Sequence, residues 1–99
     1  MMNKLTLDFP ANHPTAAGHF PGNPIIPGAL LLAEVLRCIE RAEGARYVAC
    51  DVKNAKFLAP ARPGDTVAIE HARTAKGTIE FTCTVAGNKV LTGAVVANV

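Results

Sequence analysis

The sequence predicts a single α+β domain in which an antiparallel sheet of about five strands packs around one helix. Three observations support this prediction. A short alternating segment comes first, a long apolar segment without internal Pro or Gly follows, and four further alternating segments complete the chain. At 99 residues the chain has the size of one small domain, so residues 1–99 are treated as one unit.

The first strand and the helix are predicted from hydrophobic periodicity. Residues 4–9 alternate between apolar and polar side chains, as a half-buried strand does. Pro27 suits the first turn of a helix, because its missing N–H is not needed there, and residues 29–42 contain no further helix breaker. Gly44 supplies the stop signal. We therefore expect a mostly buried helix of about four turns with one polar stripe.

The remaining strands follow the helix and are separated by turn residues. A Pro-Gly-Asp turn at 63–65 and hairpin signals at Gly77 and Gly87 divide this part of the chain. We expect the four strands to form an antiparallel meander. Their predicted bounds are residues 46–58, 66–74, 78–86 and 89–99.

Composition excludes several classes of function. The formal charge of +2, without a run of basic and aromatic residues, argues against nucleic-acid binding. No apolar run reaches the ~18 residues of a membrane span, and no signal peptide is recognisable, so a cytoplasmic protein without membrane contact is expected. The cysteines Cys38, Cys50 and Cys83 are odd in number and widely spaced, so we expect reduced core residues and neither a disulfide nor a metal site.

The segment before the helix carries the most specific motif. Residues 19–28 read HFPGNPIIPG, and residues 56–65 read KFLAPARPGD. Together they resemble the signature of the 3-hydroxyacyl-acyl-carrier-protein dehydratases. That family has the hotdog fold, a curved antiparallel sheet wrapped around one central helix. The resemblance covers about residues 14–65 by motif, and it implies a lyase of fatty-acid or polyketide-type biosynthesis that eliminates water to give a 2-enoyl thioester.

The resemblance assigns two parts of the chemistry to this loop and to the start of the helix. His19 matches the base that removes the α-proton of the thioester, and a neutral imidazole near pH 7 is a suitable acceptor. Gly28 matches the residue whose backbone N–H faces the thioester oxygen, where the helix N-terminus stabilises a developing enolate and glycine allows close approach. Further substrate contacts are expected from Phe20, Gly22, Pro27 and Ala29.

The second catalytic position departs from the family pattern. The family's acid lies fourteen residues after the His, and this sequence has Ala33 at that position. Alanine cannot act as an acid, so Ala33 is expected only to contact the substrate. Glu34 is the neighbouring candidate, but one helical step turns its side chain by about 100°, and an ion pair with Arg37 also accounts for it. Either the helix is wound so that Glu34 reaches the site, or a partner subunit of different sequence supplies the acid.

Two functions remain open at this point. One is a dehydratase acting on an acyl thioester of acyl carrier protein or coenzyme A, without a cofactor. The other is a non-catalytic hotdog subunit that binds acyl thioesters or pairs with an active paralogue. A thioesterase of the same fold usually lacks the His-Phe-Pro-Gly loop. Sheet edges and a site built across two subunits both favour a homodimer, with a heterodimer as the alternative.

Overall fold

The computed structural model describes residues 2–12 and 24–98. The predicted helix and five strands are all present there, and their bounds differ from the predicted ones by at most three residues. In chain order the elements are β1 (Asn3–Asp8), α1 (Gly28–Glu43), β2 (Ala49–Phe57), β3 (Thr66–Arg73), β4 (Thr78–Val85) and β5 (Asn88–Asn98).

The strands form one antiparallel sheet in the order β1-β3-β4-β5-β2. Strands β3, β4 and β5 are a meander, as expected. The prediction that β2 belongs to the same meander is wrong, because β2 pairs with β5 at one edge of the sheet. Strand β1 pairs with β3 at the other edge.

The connection between β2 and β3 explains this topology. Residues 58–65 contain Pro60 and Pro63, and proline cannot donate to a strand ladder, so a tight hairpin is disfavoured. The segment instead returns across the sheet to the β1 side. There the N–H of Phe9 donates to the carbonyl of Asp65 at 3.0 Å, which joins the end of β1 to the start of β3.

The core lies between α1 and one face of the sheet. Strand β4 alternates as predicted, with Ile79, Phe81 and Cys83 buried against the helix and the intervening side chains on the other face. Burial of such aliphatic and aromatic surface is the main stabilising term for a domain of this size. The fully buried residues of the helix and of β3 and β5 are Leu31, Val35, Ile39, Val67, Ile69, Val90, Leu91 and Val95.

Both ends of α1 are where the sequence places them. Pro27 is extended at the N-cap, and Gly44 adopts a left-handed conformation with φ 65°, in which its N–H donates to the carbonyl of Arg41. Glycine takes this conformation without a steric penalty. Among the described residues no helix combines the length and the apolar character that crossing a membrane requires.

A β-bulge interrupts the ladder between β2 and β5. Val52 pairs with Val95, whereas Asn54 pairs with the next residue of β5, Ala94, so Lys53 is an extra residue in β2. The bulge shifts the alternation of β2 by one position. Without it, the helix-facing side downstream of Val52 would carry polar side chains.

The bulge therefore determines which side chain at the end of β2 faces α1. Phe57 pairs with Leu91, which is fully buried on the helix side, so Phe57 points to the same side. With an uninterrupted ladder, Lys56 would occupy that side, and its charge would face the apolar core. The extra residue thus places an aromatic ring beside the start of the helix.

The C-terminal end of α1 is fixed to β3 by a polar cluster. Arg73 donates to both carboxylate oxygens of Glu43, at 2.8 and 3.3 Å, and the Tyr47 hydroxyl donates to the same carboxylate. Burial raises the pKa of Glu43, but the hydrogen bonds from Arg73 and Tyr47 and the Arg73 charge outweigh it, so the pKa lies below its usual value. Nearby, His71 is buried on β3, and its Nε2 has no hydrogen-bond partner among the described residues.

The lowered pKa of Glu43 predicts an acid-sensitive contribution to stability. A carboxyl whose pKa is depressed in the folded state stabilises the fold above its unfolded pKa of about 4.3, and the stabilisation is lost as the pH falls through the folded pKa. We expect the free energy of unfolding to fall more steeply for wild type than for Glu43→Gln between about pH 5 and pH 3. Urea denaturation across this range tests it, with Glu80→Gln on the outer face of β4 as control. Equal slopes for wild type and Glu43→Gln would contradict the assignment.

Gly93 predicts a second stability effect. A Cβ built on Gly93 would lie 2.6 Å from Cζ of the buried Phe81 and 2.9 Å from the Asn54 carbonyl oxygen, so the core has no room for it. We expect Gly93→Ala to cost about 1–3 kcal/mol, as overpacking does. Thermal or urea unfolding measures the loss, and Thr92→Ala, on the opposite face of β5, serves as control. A loss of less than about 0.5 kcal/mol would show that the ring moves aside freely.

Candidate functional site

The N-terminal end of α1 presents unpaired backbone donors. The N–H of Leu31 is the first to find an acceptor, the Pro27 carbonyl at 3.0 Å, and no described side chain caps the helix. Within the described residues, the N–H groups of Gly28, Ala29 and Leu30 therefore have no acceptor. The first turn also lacks an acidic residue. These donors and the positive end of the helix dipole favour an oxygen that carries negative charge.

An apolar groove opens beside these donors. Residues 24–27 and 58–61 form its walls, and they are joined where the N–H of Ile26 donates to the carbonyl of Ala61 at 2.7 Å. The groove has a volume of about 390 Å³, and every described side chain that lines it is apolar. The lining residues are Ile25, Ile26, Gly28, Leu31, Phe57, Leu58, Ala59, Pro60 and Ala61.

Gly28 and Phe57 are in direct contact at the mouth of this groove. A Cβ on Gly28 would lie 3.0 to 3.3 Å from three atoms of the Phe57 ring. The space that was expected to admit a substrate at Gly28 is therefore bordered by an aromatic side chain of the same chain. Phe57 is half-exposed, so its ring has an open side. Phe57 belongs to a sequence motif, but no role was predicted for it. The signal that could have indicated its position is the interrupted alternation around Lys53.

Ala33 lies on a different flank of α1 from the groove. It lines a cavity of about 200 Å³ between the helix and β2, together with Leu36, Arg37, Glu40, Tyr47 and Cys50. We call this side the β2 flank. Gly28 and Ala33 of one chain therefore open onto separate cavities.

Glu34 lies on a different side of the helix from Ala33. The step of about 100° from Ala33 turns it toward Cys38 and Arg41, four and seven residues further on, which line a cleft against β1. The expected ion pair is present, with Glu34 Oε1 3.8 Å from Arg37 Nη1. The structure thus does not bring Glu34 to the groove at Gly28.

Only part of the predicted site lies within the residues that the structure describes. His19, Phe20 and Gly22 lie outside the described residues. Pro27 and Gly28 are at the helix start, and Ala29 is exposed on the first turn. Among the described residues, no three His, Cys, Asp or Glu side chains lie close enough together to hold a metal ion.

The cysteines differ from one another in their surroundings. Cys83 is buried in the core as expected, and burial raises the pKa of its thiol to about 12. A thiol with so high a pKa is a poor nucleophile near neutral pH. Cys50 is exposed, so the expectation that all three cysteines are core residues is wrong for this one. Its place on β2, an edge strand, is the reason.

One helix on a five-stranded antiparallel sheet, with the helix start open to an apolar groove, defines a hotdog-fold domain. The family model described as "ApeI-like: ApeI dehydratase" matches residues 2–94. The chain belongs to this ApeI-like dehydratase family.

Individual relatives agree with the family. The chain is 37% identical over 68 residues to the 3-hydroxyacyl-acyl-carrier-protein dehydratase FabZ of a Caulobacter species, an alignment covering 60% of this chain and 42% of the relative. It is 35% identical over 92 residues to FabZ of Latilactobacillus sakei, covering 82% and 66% respectively. The chain thus spans about half the length of the curated relatives it matches.

A solved structure shows the same fold. The dehydratase heterocomplex ApeI:P from Xenorhabdus doucetiae has a chain that superposes with a TM-score of 0.76 over 97% of this chain and 86% of that one. The two sequences are 20% identical, so this similarity concerns the fold. It confirms the predicted α+β hotdog architecture.

The contact between Gly28 and Phe57 predicts energetic coupling between them. In wild type, Gly28→Ala places a methyl group against the ring, which offsets the better helix propensity of alanine. In a Phe57→Ala background the ring is absent, and the same change should be neutral or stabilising by up to about 1 kcal/mol. A double-mutant cycle measured by urea unfolding gives the coupling energy. Additive effects would show that the ring yields without cost.

Proposed function

We propose that this protein is the base-bearing subunit of a 3-hydroxyacyl thioester dehydratase, and that a partner subunit supplies the acid. The single observation that carries the proposal is the row of unpaired N–H donors at the start of α1, open to an apolar groove and preceded by the His-Phe-Pro-Gly loop. Membership of the dehydratase family supports it.

The proposed reaction uses the helix start as an oxyanion site. The thioester oxygen accepts hydrogen bonds from the N–H groups near Gly28, which stabilises the enolate formed when His19 takes the α-proton. The electron pair of that C–H bond becomes the new carbon–carbon double bond, and the bond to the 3-hydroxyl breaks. The departing hydroxide takes a proton from the acid and leaves as water. Oxidation states do not change overall, so no redox cofactor is required.

The position of Ala33 supports an acid from outside the chain. Ala33 has no proton to give, and it opens onto a cavity separate from the groove at Gly28. Glu34 faces β1 and pairs with Arg37. A site built across two subunits, as the family resemblance implies, combines the loop and helix start of one chain with the β2 flank of another.

This arrangement makes the identity of the partner decisive. Two copies of this chain would place Ala33 at both acid positions, so neither composite site would hold an acid there. A hotdog paralogue with Asp or Glu at the matching position would complete one site, with His19 and Gly28 from this chain. We therefore propose a heterodimer as the active form, with the homodimer as the alternative.

The edge strand β2 supports such a partner. None of the strands in residues 2–12 and 24–98 lies on its outer side, and an unpaired edge readily takes up another chain. Exposed apolar side chains outside the groove also lie there: Val48 is 83% exposed and Val52 is 43% exposed. We propose that the partner subunit covers this edge and the β2 flank of α1.

The second candidate function is a non-catalytic hotdog subunit that binds acyl thioesters or stabilises an active paralogue. The absence of an ionisable side chain at position 33 favours it. For either function, the acyl group would be carried by acyl carrier protein or coenzyme A, which present the same thioester. We place both functions in the cytoplasm, in fatty-acid or polyketide-type biosynthesis.

A hydration assay with 2-butenoyl thioester separates the two functions. We expect Ala33→Glu to raise the rate of the purified chain about 100-fold or more, the usual contribution of a general acid, and His19→Ala to abolish the gain. Ala42→Glu, the same change at an exposed alanine near the other end of α1, is the matched control and should have no effect.

The partner is tested in the same assay. Co-expression with an acid-bearing paralogue should give turnover with the wild-type chain but not with the His19→Ala variant. If neither Ala33→Glu nor any such partner yields turnover, the dehydratase proposal fails and the non-catalytic function is favoured. Loss of wild-type activity in Glu34→Gln would instead identify Glu34 as the acid.

A further inference from the structure

We propose that Phe57 is a specificity-determining residue of the acyl site, with its ring setting how far an acyl chain extends into the groove. This inference rests on the proposed function, because it assumes that the groove beside Gly28 takes the acyl chain of a thioester. It concerns binding, and so it does not depend on which subunit supplies the acid.

The backbone around Phe57 is held on two sides. Phe57 pairs with the fully buried Leu91 in the β2–β5 ladder, and the N–H of Leu58 donates to the carbonyl of Val90 at 2.9 Å. The bulge at Lys53 fixes the side to which the ring points. The ring position is therefore set by the fold, whereas its exposed side faces the groove.

The ring stands between the donors and the rest of the groove. Its Cε1, Cζ and Cδ1 atoms lie 3.0, 3.2 and 3.3 Å from the position of a Cβ on Gly28. A thioester oxygen bound to the N–H groups of the first turn is thus within a few ångströms of the ring. The acyl chain leaving that carbonyl has to pass along the ring face to enter the groove.

The size and the lining of the groove fit an acyl chain as the occupant. The side chains that line it are apolar in the part of the chain that the structure describes, and its volume is about 390 Å³. Since a water molecule occupies about 30 Å³ in the liquid, the groove holds on the order of a dozen groups of that size, which suits a chain of short to medium length. Shrinking the Phe57 side chain would enlarge the groove at the end nearest the donors.

The test is a series of binding measurements with non-hydrolysable acyl-pantetheine analogues, in which an amide replaces the thioester and keeps its carbonyl oxygen, and which carry chains of butyl, octyl and dodecyl length. Calorimetry on wild type should show affinity rising from the shortest chain to the octyl length and then levelling. Phe57→Ala should raise the ratio of dodecyl to octyl affinity by about tenfold, a typical value for one pocket change. Phe57→Trp should shift the optimum toward the shorter chain.

Controls keep the outcomes separate. Phe57→Leu retains apolar bulk if Phe57→Ala fails to fold, and Met2→Ala removes a similarly exposed side chain that flanks β1 at the other edge of the sheet. An unchanged length profile in every Phe57 variant overturns the inference. So does a change confined to the assembly state in sedimentation, which would make Phe57 a subunit contact. Binding without hydratase turnover refutes only the proposed chemistry, whereas no binding of any analogue, with or without a partner, refutes both.

Discussion

The register of β2 against β5 is the constraint on which the candidate site depends. One extra residue in β2 changes the side chains that face the helix, and the last of these is Phe57. The ring then contacts Gly28 and borders the groove at the helix start. A local irregularity in a hydrogen-bond ladder is thus linked to the geometry of a site that lies at the end of another element.

The sequence predicts the elements better than their arrangement. Pro27 and Gly44 act through local geometry, a fixed φ and a left-handed turn, so they locate both ends of α1 without reference to the rest of the chain. Alternation likewise identifies each strand. It cannot say which strands are neighbours, and so the pairing of β2 with β5 was missed, because that pairing depends on where the segment 58–65 crosses the sheet.

The candidate site shows the same division between local and tertiary information. The angle of about 100° between successive helical side chains separates Ala33 from Glu34 on any regular helix, and in the structure Ala33 lines the cavity on the β2 flank whereas Glu34 does not. The contact between Gly28 and Phe57 joins residues 29 positions apart in the chain, and no local rule anticipates it. The family motifs include both residues but do not say that they touch.

Two glycines in this small domain face aromatic rings, Gly28 beside Phe57 and Gly93 beside Phe81. In each pair the aromatic ring occupies the space that a side chain on the glycine would need. This interdependence limits which substitutions each glycine tolerates, because an added Cβ at Gly28 meets the Phe57 ring and one at Gly93 meets both the Phe81 ring and the Asn54 carbonyl oxygen. Of the two pairs, the one in the core is confined by neighbours on every side, whereas the ring of Phe57 has an open face. A side chain at position 28 is therefore easier to accommodate than one at position 93, so the edge of the groove tolerates a change of sequence better than the core does.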